Sequence, residues 1–172
     1  VEKMITAIFI IPSTMLATVS ALSAQNIGAK DYGRARTVLK YAVMITTLYG
    51  IIVALIVECA APTLLGLFTK DTTVILLGVQ YISSYIIDTI FAGIHFCFSG
   101  YFAADGKSYI GFIHNIISIS LVRVPGSYIA SIIYPHNLFP MGLAAPLGSL
   151  LSVIICLIAY CILKKKDELS VL

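Results

Sequence analysis

Charge is what this sequence has least of. Lys, Arg, Asp and Glu make up 11% of its 172 residues, while 59% are hydrophobic and the mean hydropathy is +1.00. Soluble domains carry roughly 25% charged residues, so this composition excludes a water-facing globular surface and reads as an integral membrane protein. Alternation is also lacking. A transmembrane barrel would alternate apolar and polar residues in runs of about ten. Here the apolar runs are about twice that long and unalternated, which selects helices. The four cysteines, Cys59, Cys97, Cys156 and Cys161, form no C-x-x-C pair and have no histidine at ligand spacing. They are expected to behave as small hydrophobes, with no metal and no disulfide. Neither a G-x-S-x-G nor an H-E-x-x-H motif occurs, which counts against an intramembrane hydrolase and against an enzyme generally. The net charge of +3 is small and sits at helix ends, so nucleic acid is not an expected partner. No signal-peptide pattern precedes the first apolar run, and Val1 is not an initiator; the chain is expected to be a piece of something longer.

What is present is a series of five apolar runs, at about residues 4–24, 32–61, 73–102, 109–134 and 143–163. The longest polar interruption is Ser23–Arg36, with Lys30, Arg34 and Arg36 between two long apolar runs. Gly28 is placed to end the first helix in a left-handed turn, and Asp31 to cap the second. Ala61-Pro62 should end the second crossing, and Asp71 or Thr72 should cap the third. Ser13, Ala17, Ser20 and Ala24 form a strip of small residues suited to close helix packing. Pro125 removes a backbone bond and should kink the fourth helix near Val122. Pro140 falls in the loop opened by Pro135, Pro146 in the first turn of the last helix, and Lys164, Lys165 and Lys166 should stop that helix. This lysine cluster is also a contact for anionic lipid.

Alternating the five helices places Lys30, Arg34, Arg36, Lys40, Lys107 and Lys164 to Lys166 on one side, and only Lys3 and Lys70 on the other. Eight against two orients the N-terminus outside and the C-terminus in the cytoplasm, in the cell membrane. The third helix is the most polar. Tyr81, Tyr85, Asp88, Ala92, His95 and Ser99 recur at steps of four and three and share one face. Asp88 is the one carboxylate well inside a crossing, where a charge is costly unless paired, hydrated or neutralised. It is the candidate coupling residue, or else it bonds to Tyr81, Tyr85 or a neighbouring helix and serves packing. His95, two turns along the same face, could relay protons, its ordinary pKa being about 6.5, or be a neutral ring sharing one hydrogen bond. Tyr81 and Tyr85 could wall a substrate cavity through cation–π contact. Arg123 either satisfies carbonyls freed by Pro125 or pairs with an acid. His114, near a helix end, reads as interfacial.

Several of these pieces resemble one family. Ala24-Gln25-Asn26-Ile27-Gly28-Ala29 followed by Arg34-Ala35 resembles the Q-N-x-G-A…R-A loop of MATE (multidrug and toxic compound extrusion) transporters. Leu67-Phe68-Thr69-Lys70-Asp71 resembles their L-F-x-x-D turn, and Gly100 with Ala103–Lys107 their G-x-x-x-A-x-G-K/D helix end. Arg123-Val124-Pro125 resembles R-[IV]-P, and Gly142-Leu143-Ala144-Ala145-Pro146 the opening of the last helix. Order and spacing agree over nearly the whole chain. The resemblance implies an all-α membrane protein of twelve helices in two six-helix lobes. This chain would supply helices eight to twelve: residues 1–163 a partial C-terminal lobe, and 164–172 a cytoplasmic tail. The N-terminal lobe of the same chain would be the missing partner. It further implies export of small cationic or amphipathic substrates by alternating access, driven by Na⁺ or H⁺, with membrane lipid the other partner and no further cofactor. Some members, mainly sodium-coupled ones, are similar in carrying an acid on the helix that holds Asp88. A lipid-linked saccharide flippase of the same superfamily is the alternative; it would want more cationic cavity residues than Arg123. The motif residues Gln25, Asn26, Gly28 and Arg34 then mark a helix-joining element away from the Asp88 face.

Overall fold

A computed structural model describes residues 1–169, with side chains through Lys165. Among them there is no strand. The helices are α1 (Glu2–Gly28), α2 (Tyr32–Gly66), α3 (Thr72–Tyr85), α4 (Asp88–Ala104), α5 (Ser108–Ser118), α6 (Val124–Ile133) and α7 (Phe139–Leu169), with a π-helical turn, Ile119–Arg123, between α5 and α6. Four segments are long and apolar enough to cross a membrane: α1, α2, Ser108–Ile133 and Phe139–Lys165. The pair α3 and α4, bent by 44°, makes a fifth if counted as one broken span. The fold is therefore the all-α membrane bundle that the composition dictates.

The bundle is organised around α4, which packs against α1, α2, α5 and α7. Its residues are mostly buried, whereas the outward faces of α1, α2, α6 and α7 display Ile, Leu, Met and Tyr side chains. Such an apolar exterior has no cost where the solvent is lipid. Two apolar clusters hold the ends together. At the basic end, Val19, Leu39, Phe98, Tyr101, Phe102 and Cys156 interlock, with Tyr160 and Leu163 against them. At the other end Met4, Val57, Ala61, Leu65, Ile82 and Ile86 do so.

The connections at the basic end are tighter than the polar composition of Ser23–Arg36 suggests. Helix α1 runs through Gly28, and only Ala29, Lys30 and Asp31 separate it from α2. The left-handed residue is Lys30, with φ 60°, and not Gly28. Two bonds close the turn, Asp31 N–H to the Asn26 carbonyl at 2.8 Å and Lys30 N–H to the Ile27 carbonyl at 2.9 Å. That is the Schellman pattern, which satisfies carbonyls a helix end would otherwise leave bare. The α4–α5 turn repeats it with Gly106 at φ 70°, where Lys107 N–H reaches the Phe102 carbonyl and Gly106 N–H the Ala103 carbonyl. Asp31 caps α2 through Arg34 N–H, and Asp71 caps α3 through Thr73 and Val74 N–H.

Other boundaries differ from expectation. Pro62 lies inside α2, which continues to Gly66. The third run breaks at Ile86-Ile87, so α3 and α4 are separate pieces. Helix α7 begins at Phe139, with Asn137 Oδ1 accepting from Phe139 N–H at 3.0 Å. Pro140 is thus in its first turn and Pro146 in its interior. The lysines at 164 to 166 do not stop α7, because lysine is a good helix former and nothing after it breaks the pattern before Leu169. The side chain of Lys166 and residues 170–172 of the tail lie outside the described residues. On α1, Ser13, Ala17 and Ala24 are exposed; the face turned to the bundle is Met4, Pro12, Val19 and Ser23.

Candidate functional site

The two breaks in the helices face each other. Asp88 is the first residue of α4, just past the bend, and its carboxylate is 0% exposed. Arg123 is the last residue of the π-turn. Pro125 cannot donate to the preceding turn, and the backbone widens here: Val124 N–H bonds back to the Ile119 carbonyl, five residues away. Single π-turns of this kind recur at functional sites. The Arg123 guanidinium meets Asp88 Oδ2 at 3.1 Å and Oδ1 at 3.4 Å. The same nitrogen donates to Ser149 Oγ of α7 at 2.6 Å. Of the two roles open to Arg123, pairing with an acid is the one the structure places. Asp88 also sits at the amino end of α4, where the helix dipole favours negative charge.

Room for the arginine comes from α7. A Cβ on Gly148 would lie 2.6 Å from Arg123 Cγ and 2.9 Å from Ser118 Oγ. Ser118 Oγ donates to the Gly148 carbonyl at 2.6 Å, tying α5 to α7 beside the pair.

From Ser149 a file of polar groups continues along α4. Ser149 Oγ lies 3.5 Å from His95 Nε2. The His95 ring stands edge-on to that of His114, centroids 5.4 Å apart. Ser99 Oγ donates to the His95 carbonyl at 2.8 Å and lies 2.9 Å from His114 Nε2. With the Ser99 proton committed to that carbonyl, His114 Nε2 carries the proton of their bond. His114 Nδ1 and His95 Nδ1 are buried with no hydrogen-bond partner among the described residues. His114 is fully buried, carried inward by the α5 face that packs on α4 and α7.

On the other side of Asp88, Tyr81 and Tyr85 stack with ring centroids 5.5 Å apart, and Phe9 of α1 approaches Tyr85 at 6.1 Å. The Tyr85 hydroxyl faces Arg123. The expected common face of Tyr81, Tyr85, Asp88 and His95 thus survives the break. Gln25, Asn26, Gly28 and Arg34 do not join this group. Asn26 bonds its own helix at Leu22, and Arg34 lies 3.9 Å from Asp31. Gly148 and Ser149 are the partners that sequence reasoning missed. Their signal was the small polar spacing Gly148-Ser149…Ser152 inside an apolar run, since hydroxyls within a span bond across helices or back to their own.

The arrangement can hold one negative charge in an apolar bundle, balance it with one cation, and offer carboxylate and hydroxyl oxygens from Asp88 and Ser149 to a small ion. It lies where two spans are discontinuous, and the second lining element is aromatic. No curated protein matches the chain, and no solved structure does. A family model described as MatE matches residues 2–129, from the start of α1 across Asp88, His95, His114, Arg123 and Pro125 into α6. With three quarters of its length matched in this way, the chain belongs to the MatE family of membrane transporters.

Proposed function

We propose that the chain is the C-terminal part of an ion-coupled multidrug antiporter, which exports small cationic or amphipathic compounds across the plasma membrane by alternating access, its C-terminus in the cytoplasm. The observation that carries this reading is the buried Asp88–Arg123 pair bridging the two helix breaks. An acid in that position is a costly feature unless it works. A proton or Na⁺ reaching Asp88 competes with Arg123 for the same oxygens. Loading loosens the tie between the start of α4 and the π-turn, and so changes which arrangement of the broken spans is favoured. An ion shifts such an equilibrium only by its unequal affinity for the two states, and a carboxylate that is paired in one state and unpaired in the other supplies that inequality. His95 and His114 extend the polar file from Ser149 toward the basic end as two further titratable groups beside the pair. Tyr81, Tyr85 and Phe9 offer π faces to a cationic substrate. The other lobe would complete the cavity. A lipid-linked saccharide flippase would call on Arg123 to meet an anionic headgroup, and its tie to Asp88 weighs against that.

The test is efflux of ethidium or norfloxacin from cells expressing the complete transporter. Asp88→Asn should bring ion-driven efflux close to background at normal expression. Efflux equal to wild type would remove Asp88 from the mechanism.

A further inference from the structure

At the basic end, on the flank opposite the histidine file, a groove of about 510 Å³ opens between α2 and α7 over α4. Its rim carries Arg36, Lys40 and Lys164, and its floor Val43, Met44 and Phe98. Arg36 is built into the wall, bonded to the Tyr101 hydroxyl and with its charge near Tyr160. From Arg36 to Met44 is eight residues of α2, about 12 Å of helix rise, so the cations sit at one end of the groove and the apolar floor runs away from them. Beyond the floor the groove merges with the exposed apolar belt of α2, at Tyr41, Ile45 and Leu48.

We infer that this groove is a binding site for an anionic phospholipid, its phosphate held by Arg36, Lys40 and Lys164 and one acyl chain laid along Val43, Met44 and Phe98. The charge and the floor select the occupant together. Basic pockets between membrane helices at one leaflet bind anionic headgroups. A free phosphate would use the rim and leave the floor bare. An acidic soluble protein could reach the rim but not the floor, which lies within the apolar belt. The site is independent of Asp88 and of what the transporter carries.

The test uses the complete transporter in nanodiscs carrying a phosphatidylglycerol or a phosphatidylcholine with a photoreactive acyl chain. Crosslinks from the phosphatidylglycerol probe should concentrate on Val43, Met44 and Phe98, and exceed those from phosphatidylcholine. Each of Arg36→Gln, Lys40→Gln and Lys164→Gln should weaken that preference by about fivefold, while Lys70→Gln should not. Unlabelled phosphatidylglycerol should compete and inorganic phosphate should not. Equal labelling by the two probes, competition by phosphate alone, or a preference unmoved by the three substitutions would each overturn the assignment. Folding of every variant is read independently from its thermal transition.

Discussion

The two faces of α4 solve the same problem, burial in a bundle without water, by opposite means. Toward α1 and α2 the helix uses small residues and close approach. A Cβ on Gly93 would lie 2.9 Å from Thr46 Cβ, one on Gly50 2.9 Å from Ile90 Cα, and one on Gly100 would fall on the Leu16 carbonyl oxygen. Toward α5 and α7 it uses Asp88, His95 and Ser99, each bonded to a side chain on a neighbouring helix. Hydroxyls occur on both faces but serve differently. Thr46 Oγ1 donates to its own helix at Ala42, 2.9 Å away, and meets only a thiol across the contact, Cys97 Sγ at 3.6 Å, whereas Ser149 bridges Arg123 and His95. One face is packed and self-sufficient; the other is held by groups that depend on one another. Interaction across dependent groups is where two arrangements can compete, so the second face is the one expected to move.

The largest effect should come from stranding a charge on the polar face. Arg123→Met leaves Asp88 buried without its cation, and loss of one member of a buried pair costs about 3–5 kcal/mol. Adding Asp88→Asn to it should recover most of that loss, because no charge then remains to be paired. The measurement is thermal unfolding of the single and double variants in the same detergent. A double variant as unstable as Arg123→Met would show that the arginine acts through packing alone.

Next in size is the packed face. Gly100→Val places a branched side chain against the Leu16 carbonyl, which is backbone and cannot step aside. Overpacking of that kind costs about 1–3 kcal/mol. Gly28→Ala is the matched control: nothing lies within 4 Å of its added Cβ, so its transition should shift little. Similar losses in the two would mean that α1 and α4 are not in the close contact described.

Much of this contrast was legible in the sequence, and the missing part has a physical cause. Composition and run length were enough for an all-α membrane bundle, because the cost of bare backbone in lipid leaves few alternatives. The period of 3.6 put Tyr81, Tyr85, Asp88 and His95 on one face. Asp31 and Asp71 were readable as caps because capping is local. The break at Ile86-Ile87 was not readable, since neither residue is a helix breaker and the bend arises where α3 meets α7 and α4 meets α1. Lys30 in the left-handed turn was hidden for a related reason: Gly28, two residues earlier, is the better candidate by chemistry, but the hairpin closes on the tertiary contact of α1 with α2. The pairing of Asp88 with Arg123, 35 residues apart, and the burial of His114 required knowing which helices are neighbours.

The smallest prediction tests the contrast at constant chemistry, one hydroxyl removed from each face. Thr46→Val keeps the shape and loses a bond that Thr46 makes to a carbonyl of its own helix. The cost should be about 0.5 kcal/mol, near the average for membrane side-chain bonds. Ser149→Ala removes an acceptor from a guanidinium and a neighbour from His95 at once, and hydrogen bonds to charged groups contribute about 1.5–3 kcal/mol. Ser149→Ala should also couple to Arg123→Met in a double-mutant cycle, while Thr46→Val should add to it independently, being on the other side of α4 with no shared partner. Equal losses from the two hydroxyls, or coupling of Thr46 to Arg123, would mean that the faces of α4 are not the separate systems their contacts describe.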